Sequence, residues 1–458
     1  LDGNAQLRVP LPAVAGALGA QVELTYNSAN AGMVSEFGQG WKSNLSRKVT
    51  DLGGGSVKLT RGDGTELTYT GNPAVGSLYT APDGATTSLK RLASGWEELL
   101  RSGGKRTYDS SGNVTTASSA VGTWTVSYSG GLMDKLTDPT GGVTTFTYTS
   151  GKLSKIKDRA GRETQFTVNA QGDLVTYTTP ELCTTSIIYD SSHLPTGWVT
   201  PAGVPSSYTY DASNRITGII GADNTSTVFT DRPRTTITYG TNEMAIQDAR
   251  GYRTTYAVDG SCRLTAQIRP DGTRTTYSWQ NNWPRTIQEG AGMVYTYSYQ
   301  TLTTDSSLRM LQSIQNPTGN RVTYQLDASD RLQAIVQPDG ARGTLSWDVN
   351  QIKSYQDPVD RRVTYSYTAT RKQLDKVEFP DGTRYTLSYD SKGQLQSFQD
   401  ATGARSTLTH DAAGFPKTVQ NPLSLCTTYQ RDDVNRLISK ENMYGNRLSF
   451  TYEVGTRQ

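Results

Sequence analysis

Apolar and polar residues alternate along this chain in short runs, each closed by turn-forming residues. In Tyr385-Thr386-Leu387-Ser388-Tyr389 every second side chain is apolar, the period of a strand with one apolar face. Pro380-Asp381-Gly382 stands before that run: proline presets φ, aspartate bonds its own backbone, and glycine accepts positive φ. Asp390-Ser391-Lys392-Gly393 stands after it, and Leu395 opens the next run. The stretch predicts a β-hairpin module.

The module recurs. Turns of the first kind begin at Asp138, Asp158, Pro201, Asp248 and Pro270, and then at Asn316, Pro338, Asp357, Pro380, Asp400, Asn421 and Asn442 with gaps of 19 to 23 residues. Turns of the second kind lie between them, as in Tyr210-Asp211-Ala212-Ser213-Asn214-Arg215 and Leu326-Asp327-Ala328-Ser329-Asp330-Arg331. A period of about 21 residues leaves about eight per strand, roughly 25 Å. Regular repeats are expected over 136–458 and irregular hairpins over 51–135, where Trp96-Glu97-Glu98-Leu99-Leu100 predicts a helical turn. Residues 1–50 read as a cap segment preceding the repeats, with a strand at Val22–Ser28 and the glycine-flanked Trp41 as a packing anchor. The predicted fold is all-β, tandem hairpins in one long sheet. Such a ribbon pairs every interior strand, and strand twist makes it curl into a spiral.

Composition supports a thin wall over a thick core. Only 34% of residues are hydrophobic, yet 26 Tyr and 7 Trp argue against disorder. With 45 basic and 42 acidic residues there is no basic surplus of the kind nucleic-acid binding uses. No run of 18 apolar residues predicts a membrane span, and Leu11–Leu18, broken by Pro12 and Gly16 and without a basic leader, does not read as a signal peptide. Cys183, Cys262 and Cys426 are too few and too scattered for a disulfide framework; isolated thiols are expected, with one disulfide and a spare thiol as the alternative. The chain lacks an initial Met and stops in mid-repeat after Ser449-Phe450-Thr451-Tyr452, so a piece of a longer product is expected.

The alternation of Tyr-Asp-x-x-Gly/Asn-Arg/Gln-Leu with Pro-Asp-Gly-Thr-Arg-x-x-Tyr resembles the YD repeat of the RHS superfamily. Val9-Pro10-Leu11-Pro12, Leu24-Thr25-Tyr26-Asn27-Ser28 and Phe37-Gly38-Gln39-Gly40-Trp41 are similar to the segment that precedes those repeats in bacterial members. The resemblance implies a ribbon spiralling into a hollow shell, or part of one. It also implies a secreted or cell-surface bacterial protein that encloses a C-terminal toxin or processed polypeptide, as in polymorphic toxins and insecticidal toxin complexes.

Catalytic chemistry finds little support. Two histidines rule out HExxH and His-rich zinc motifs, and no GxSxG, P-loop or GxGxxG stretch occurs. His410 replaces the Tyr of other copies, and His193 sits in a turn with no partner nominated nearby. Asp63, Asp83, Asp271, Asp339 and Asp381 all precede Gly, which turn geometry explains more simply than acid–base pairs or Ca²⁺ ligation. Asp138-Pro139-Thr140-Gly141 matches, and Asp357-Pro358-Val359-Asp360 half matches, the Asp-Pro-x-Gly letters that the resemblance links to self-cleavage, but both stand in register with the repeat's turns. No catalytic, cofactor-binding or metal residue is nominated. A non-enzymatic shell is the leading expectation, with an enclosed polypeptide and secretion-machinery components as partners. A glycan-binding or adhesion module, using exposed Trp and Tyr, is the alternative.

Overall fold

The computed structural model describes residues 5–11, 21–221 and 233–452. Residues 12–18 of the apolar-leaning stretch and residues 453–458 lie outside them. The described residues form strands joined by turns, with a single 3₁₀ turn at Ser28–Asn30. Strands β1 (Gln6–Pro10), β2 (Glu23–Asn27) and β3 (Trp41–Ser43) make one small antiparallel sheet, and β4 (Lys48–Gly53), β5 (Ser56–Thr60) and β6 (Glu66–Tyr69) make another. From β7 (Thr87–Arg91) to β41 (Arg447–Ser449) each strand pairs antiparallel with its sequence neighbours, giving one sheet of 35 strands. That sheet is open: β7 pairs with β8 on one side and bridges through Lys90 to Leu78 on the other, and among the described residues no ladder joins β41 back to it.

The predicted helical turn at 96–100 is instead a strand, β8 (Trp96–Leu100). Five residues are too few to nucleate a helix in water, and this piece has backbone partners on both sides, in β7 and in β9 (Lys105–Tyr108). Tertiary pairing overrides the helix preference of Glu and Leu.

The module around Tyr385 shows how a hairpin is made. Strands β34 (Leu374–Glu378), β35 (Arg384–Tyr389) and β36 (Leu395–Gln399) hold five, six and five residues. They are shorter than the spacing predicts because the Asp turn withdraws residues from the ladder. Asp390 accepts from the backbone N–H groups of Lys392 and Gln394 at 2.9 and 2.8 Å, pinning five consecutive residues. On one face Val377 pairs with Tyr385 and Leu387 with Phe398, so apolar residues form a row running across the strands. The register slips by one between Ser388 and Tyr389, a bulge repeated in hairpin after hairpin, which adds right-handed twist.

Twist accumulates into a coil. The two kinds of turn lie along the two opposite rims of the ribbon, and the second coil lays its Tyr-Asp rim on the Pro-Asp-Gly rim of the first. Asn282 donates to the carbonyl of Asp83 at 3.1 Å, Asn350 to that of Gly103 at 3.5 Å and Arg371 to that of Pro139 at 3.4 Å. The Arg162 guanidinium lies 5.9 Å from the centre of the Phe415 ring. These contacts join turns about twenty strands apart, so one revolution takes about twenty strands. At ~4.8 Å per strand that is a perimeter of roughly 100 Å and a width of roughly 30 Å.

Candidate functional site: the inner face and the unit that fills it

Each repeat position has a physical task. The Tyr that closes a strand before the second kind of turn reaches back across its strand to a carbonyl near the start of the preceding one. Tyr389 donates to Leu374, Tyr367 to Ile352, Tyr210 to Pro195 and Tyr189 to Leu174, each fifteen residues earlier, at 2.8 to 2.9 Å. Trp279 and Trp347 do the same with their indole N–H, to Leu264 and Leu332 at 2.6 and 2.7 Å. The ladder between hairpins stops short of this carbonyl, and the aromatic donor satisfies it. Tyr389→Phe is therefore expected to leave an unsatisfied carbonyl, weakening the local sheet by about 1 kcal/mol. Hydrogen exchange across Leu374–Glu378 should quicken while distant hairpins stay unchanged.

The turn aspartates are engaged by the backbone. Asp63, Asp271, Asp339 and Asp381 each accept the N–H two residues ahead at 2.9 to 3.0 Å. The hydroxyl and N–H of Thr383 hold Asp381 below the ordinary carboxylate value. Asp211, Asp327 and Asp432 also take the Arg four residues on, at 2.7 to 2.8 Å. Asp138 accepts from Thr140 and Gly142 and pairs with Arg159 at 2.5 Å, while Asp357 accepts from Val359 and Arg361. The residue in the left-handed position of these turns need not be Gly: Leu182, His193, Cys262 and Ser424 all hold φ near +60°. Cys183 is buried, whereas Cys262 and Cys426 are exposed. His410 closes β37 (Arg405–His410), next to the Leu408–Val419 pair of the wall.

The apolar row of the first coil is covered by the N-terminal unit, β1–β6 and its connections. Val9, Leu24, Tyr26, Phe37, Trp41, Val57, Leu59 and Tyr69 are all buried, in one cluster with Leu89, Val126, Leu136, Phe146, Ile156, Phe166, Tyr177 and Ile187 of the long sheet. Those sheet residues run from β7 to β17 (Thr184–Tyr189), more than 45 Å of sheet at normal strand spacing. A unit of about 75 residues is only about 30 Å across. The sheet must therefore wrap around it, so the apolar row is the concave, inner face and the N-terminal unit lies inside the first coil against β7–β17.

Specific bonds fasten the unit in place. Trp41 donates to the Tyr189 hydroxyl at 2.8 Å and packs 5.6 Å from the Tyr26 ring; Tyr26 donates to the carbonyl of His193 at 2.9 Å. Burial pushes the phenols of Tyr26 and Tyr189 well above their ordinary value. Gly172 accepts from the Gln39 N–H at 2.8 Å, and Gly112 from that of Val49 at 2.9 Å. Gly112 holds φ +79°, and a Cβ there would lie 1.7 Å from the Val49 carbonyl oxygen, so this seat requires glycine. Arg47 reaches Glu98, whose side chain is fully buried, with two contacts of 2.9 Å; Arg106 and the Tyr108 hydroxyl meet the same carboxylate at 3.3 and 2.8 Å. Burial alone would raise the Glu98 carboxyl, but Arg47, Arg106 and Tyr108 outweigh it and hold the group below its ordinary value.

In the second coil the same inner row continues, and among the described residues no other element covers it. Tyr277 pairs with Ile287, Tyr297 with Ile314, Tyr324 with Ile335, Leu345 with Tyr355 and Tyr365 with Val377. These side chains are half-buried, covered only by their neighbours in the wall. Among the described residues no cluster of three or more His, Cys, Asp or Glu could hold a metal ion, and no helix is long and apolar enough to cross a membrane.

The RHS Repeat family model matches residues 189–226, starting at Tyr189, and the same hairpin recurs to the end of the described chain. The chain carries the RHS repeat. A second family model, described as a domain of unknown function (DUF6531), matches residues 3–69 of this RHS-repeat chain, the stretch that ends with β6. No curated protein matches the sequence. Among solved structures it is similar to TcdB2-TccC3-Cdc42, at 11% identity and a TM-score of 0.42, over 94% of this chain and 31% of that one. TcdB2-TccC3 is similar at 12% identity and a TM-score of 0.41, over 97% and 28%. The Photorhabdus luminescens Tc holotoxin pore with the TccC3 mutation D651A is similar at 12% identity and a TM-score of 0.31, over 94% and 31%. The chain spans about a third of the length of these solved chains.

Proposed function

We propose that this chain is a non-enzymatic wall of a secreted or cell-surface bacterial container, and that the space inside its second coil holds a polypeptide such as a toxin. The observation that carries the reading is the contrast between the two coils. Over β7–β17 the first coil buries its inner apolar row on the N-terminal unit, while the second leaves an equivalent row of Tyr, Ile, Leu and Val half-buried, with no other described element over it. An uncovered apolar surface of this extent calls for an occupant. Side chains of an enclosed chain would lie on the aromatic row, and the turn-to-turn rims would keep proteases out.

The test is protease digestion of the native product followed by intact mass and electron microscopy. A protected polypeptide together with density inside the second coil is expected. Separate beads, or a solid particle with nothing protected, would remove the container reading. A glycan-binding role has one supporting observation: Phe379, Tyr385 and Phe398 form a partly exposed aromatic group, with centroids 5.1 and 5.6 Å apart. Glycan-array binding that is lost in Tyr385→Ala would favour that role.

A further inference from the structure

His193 is one of two histidines in the chain, and the structure gives it two partners that sequence spacing does not suggest. Its Nδ1 lies 2.8 Å from Asp173 Oδ1, in the neighbouring turn of the same rim. Its Nε2 lies 3.1 Å from the side-chain nitrogen of Gln39, which belongs to the N-terminal unit. The same Gln39 nitrogen donates to the carbonyl of Gln171 at 2.5 Å, and the Gln39 N–H donates to Gly172. Two partners thus fix the tautomer. Asp173 accepts from Nδ1–H, and Nε2, as a bare lone pair, accepts from the Gln39 amide.

We infer that Asp173, His193 and Gln39 form a proton-sensitive catch that seats the N-terminal unit on the rim of the first coil. A proton added at Nε2 would face the N–H₂ group of Gln39, donor against donor. The amide cannot answer by flipping, because its oxygen would then lie about 2.5 Å from the Gln171 carbonyl oxygen. It must instead swing away, giving up its bonds to His193 and to Gln171 together. The proton itself is welcome on the other side, where the 95%-buried Asp173 carboxylate stands against Nδ1–H. Protonation therefore strengthens the rim's internal pair while loosening the inserted unit at this one contact. The other titratable groups at this turn are Asp190 and the phenols of Tyr26, Tyr189 and Tyr210, and Tyr26 bonds the His193 carbonyl in either state. The Arg47–Glu98 contact holds through the same range, since that carboxyl sits below its ordinary value. Histidine is the side chain whose ordinary titration falls near physiological pH, so mild acid is the expected signal.

Hydrogen exchange of the full chain, followed by mass spectrometry at pH 7.5 and 5.5 and corrected for intrinsic rates, tests this. Protection of residues 33–43 should fall about fivefold in the native chain at the lower pH, the equivalent of about one net hydrogen bond. His193→Asn should show no such fall. Asn already occupies the left-handed position of this turn at Asn214 and Asn435, so the variant has the backbone it needs. Equal loss of protection in the native chain and in His193→Asn, or none in either, overturns the inference.

Discussion

Replacing Glu98 by Ala should detach the N-terminal unit from the first coil while leaving the second coil intact. Glu98 is a fully buried carboxylate that meets Arg47 from the inserted unit and Arg106 and Tyr108 from the wall. Removing one partner of such a group strands the others, and Arg47 is itself mostly buried, so about 3–5 kcal/mol of attachment should be lost. The readout is rapid exchange and proteolysis across residues 23–69, with exchange over β34–β36 unchanged. Replacing both Arg47 and Glu98 by Met should recover a large part of the loss, because apolar groups of similar size do not leave a stranded charge.

The same site sets a pH dependence with a definite sign. Its folded-state carboxyl lies below the ordinary value of 4.5. The stabilisation is therefore fully present above that value and is lost as pH falls through the lower, folded-state one. Glu98→Gln should remove this acid sensitivity below about pH 4.5, while the His193 response at milder pH persists.

Trp41→Ala should be as damaging by a different route. Trp41 is fully buried, packs against Tyr26 and bonds Tyr189, so its removal empties the contact between β3 and β17. Losing a buried indole costs about 3–5 kcal/mol. The inner face of the first coil should then become accessible, seen as binding of a hydrophobic dye together with loss of protection at Leu24 and Tyr26. Trp41→Phe should retain most of the packing and bind little dye, since it gives up mainly the bond to Tyr189.

The hairpin module was legible because turn chemistry and period-two alternation are local. Asp390 and Gly393 specify their turn within a few residues, and Tyr385, Leu387 and Tyr389 specify one face. Pattern reading went astray at Trp96–Leu100, where local preference favours a helix and pairing on both sides enforces a strand. It also passed over Trp279 and Trp347. Their place before a turn, fifteen residues after the carbonyl they bond, equates them with Tyr389, and matching by that spacing would have found them.

The partners of His193 lay outside sequence reasoning for a physical reason. Asp173 is twenty residues away on the adjacent turn of the rim, and Gln39 arrives from the turn before β3 in the N-terminal unit. A contact of that kind depends on where the N-terminal unit seats, which no spacing encodes.

By itself the sequence determined a repeated hairpin, its two kinds of turn and one apolar face, since each follows from residues within about twenty of one another. Tertiary structure alone decided that the two turn types become the two rims and that about twenty strands make one revolution. It also decided that the apolar face turns inward, closing around the N-terminal unit over β7–β17. Curvature is the sum of small twists over many strands, and it is read only where distant rims meet, as Asn282 meets Asp83 and Arg371 meets Pro139.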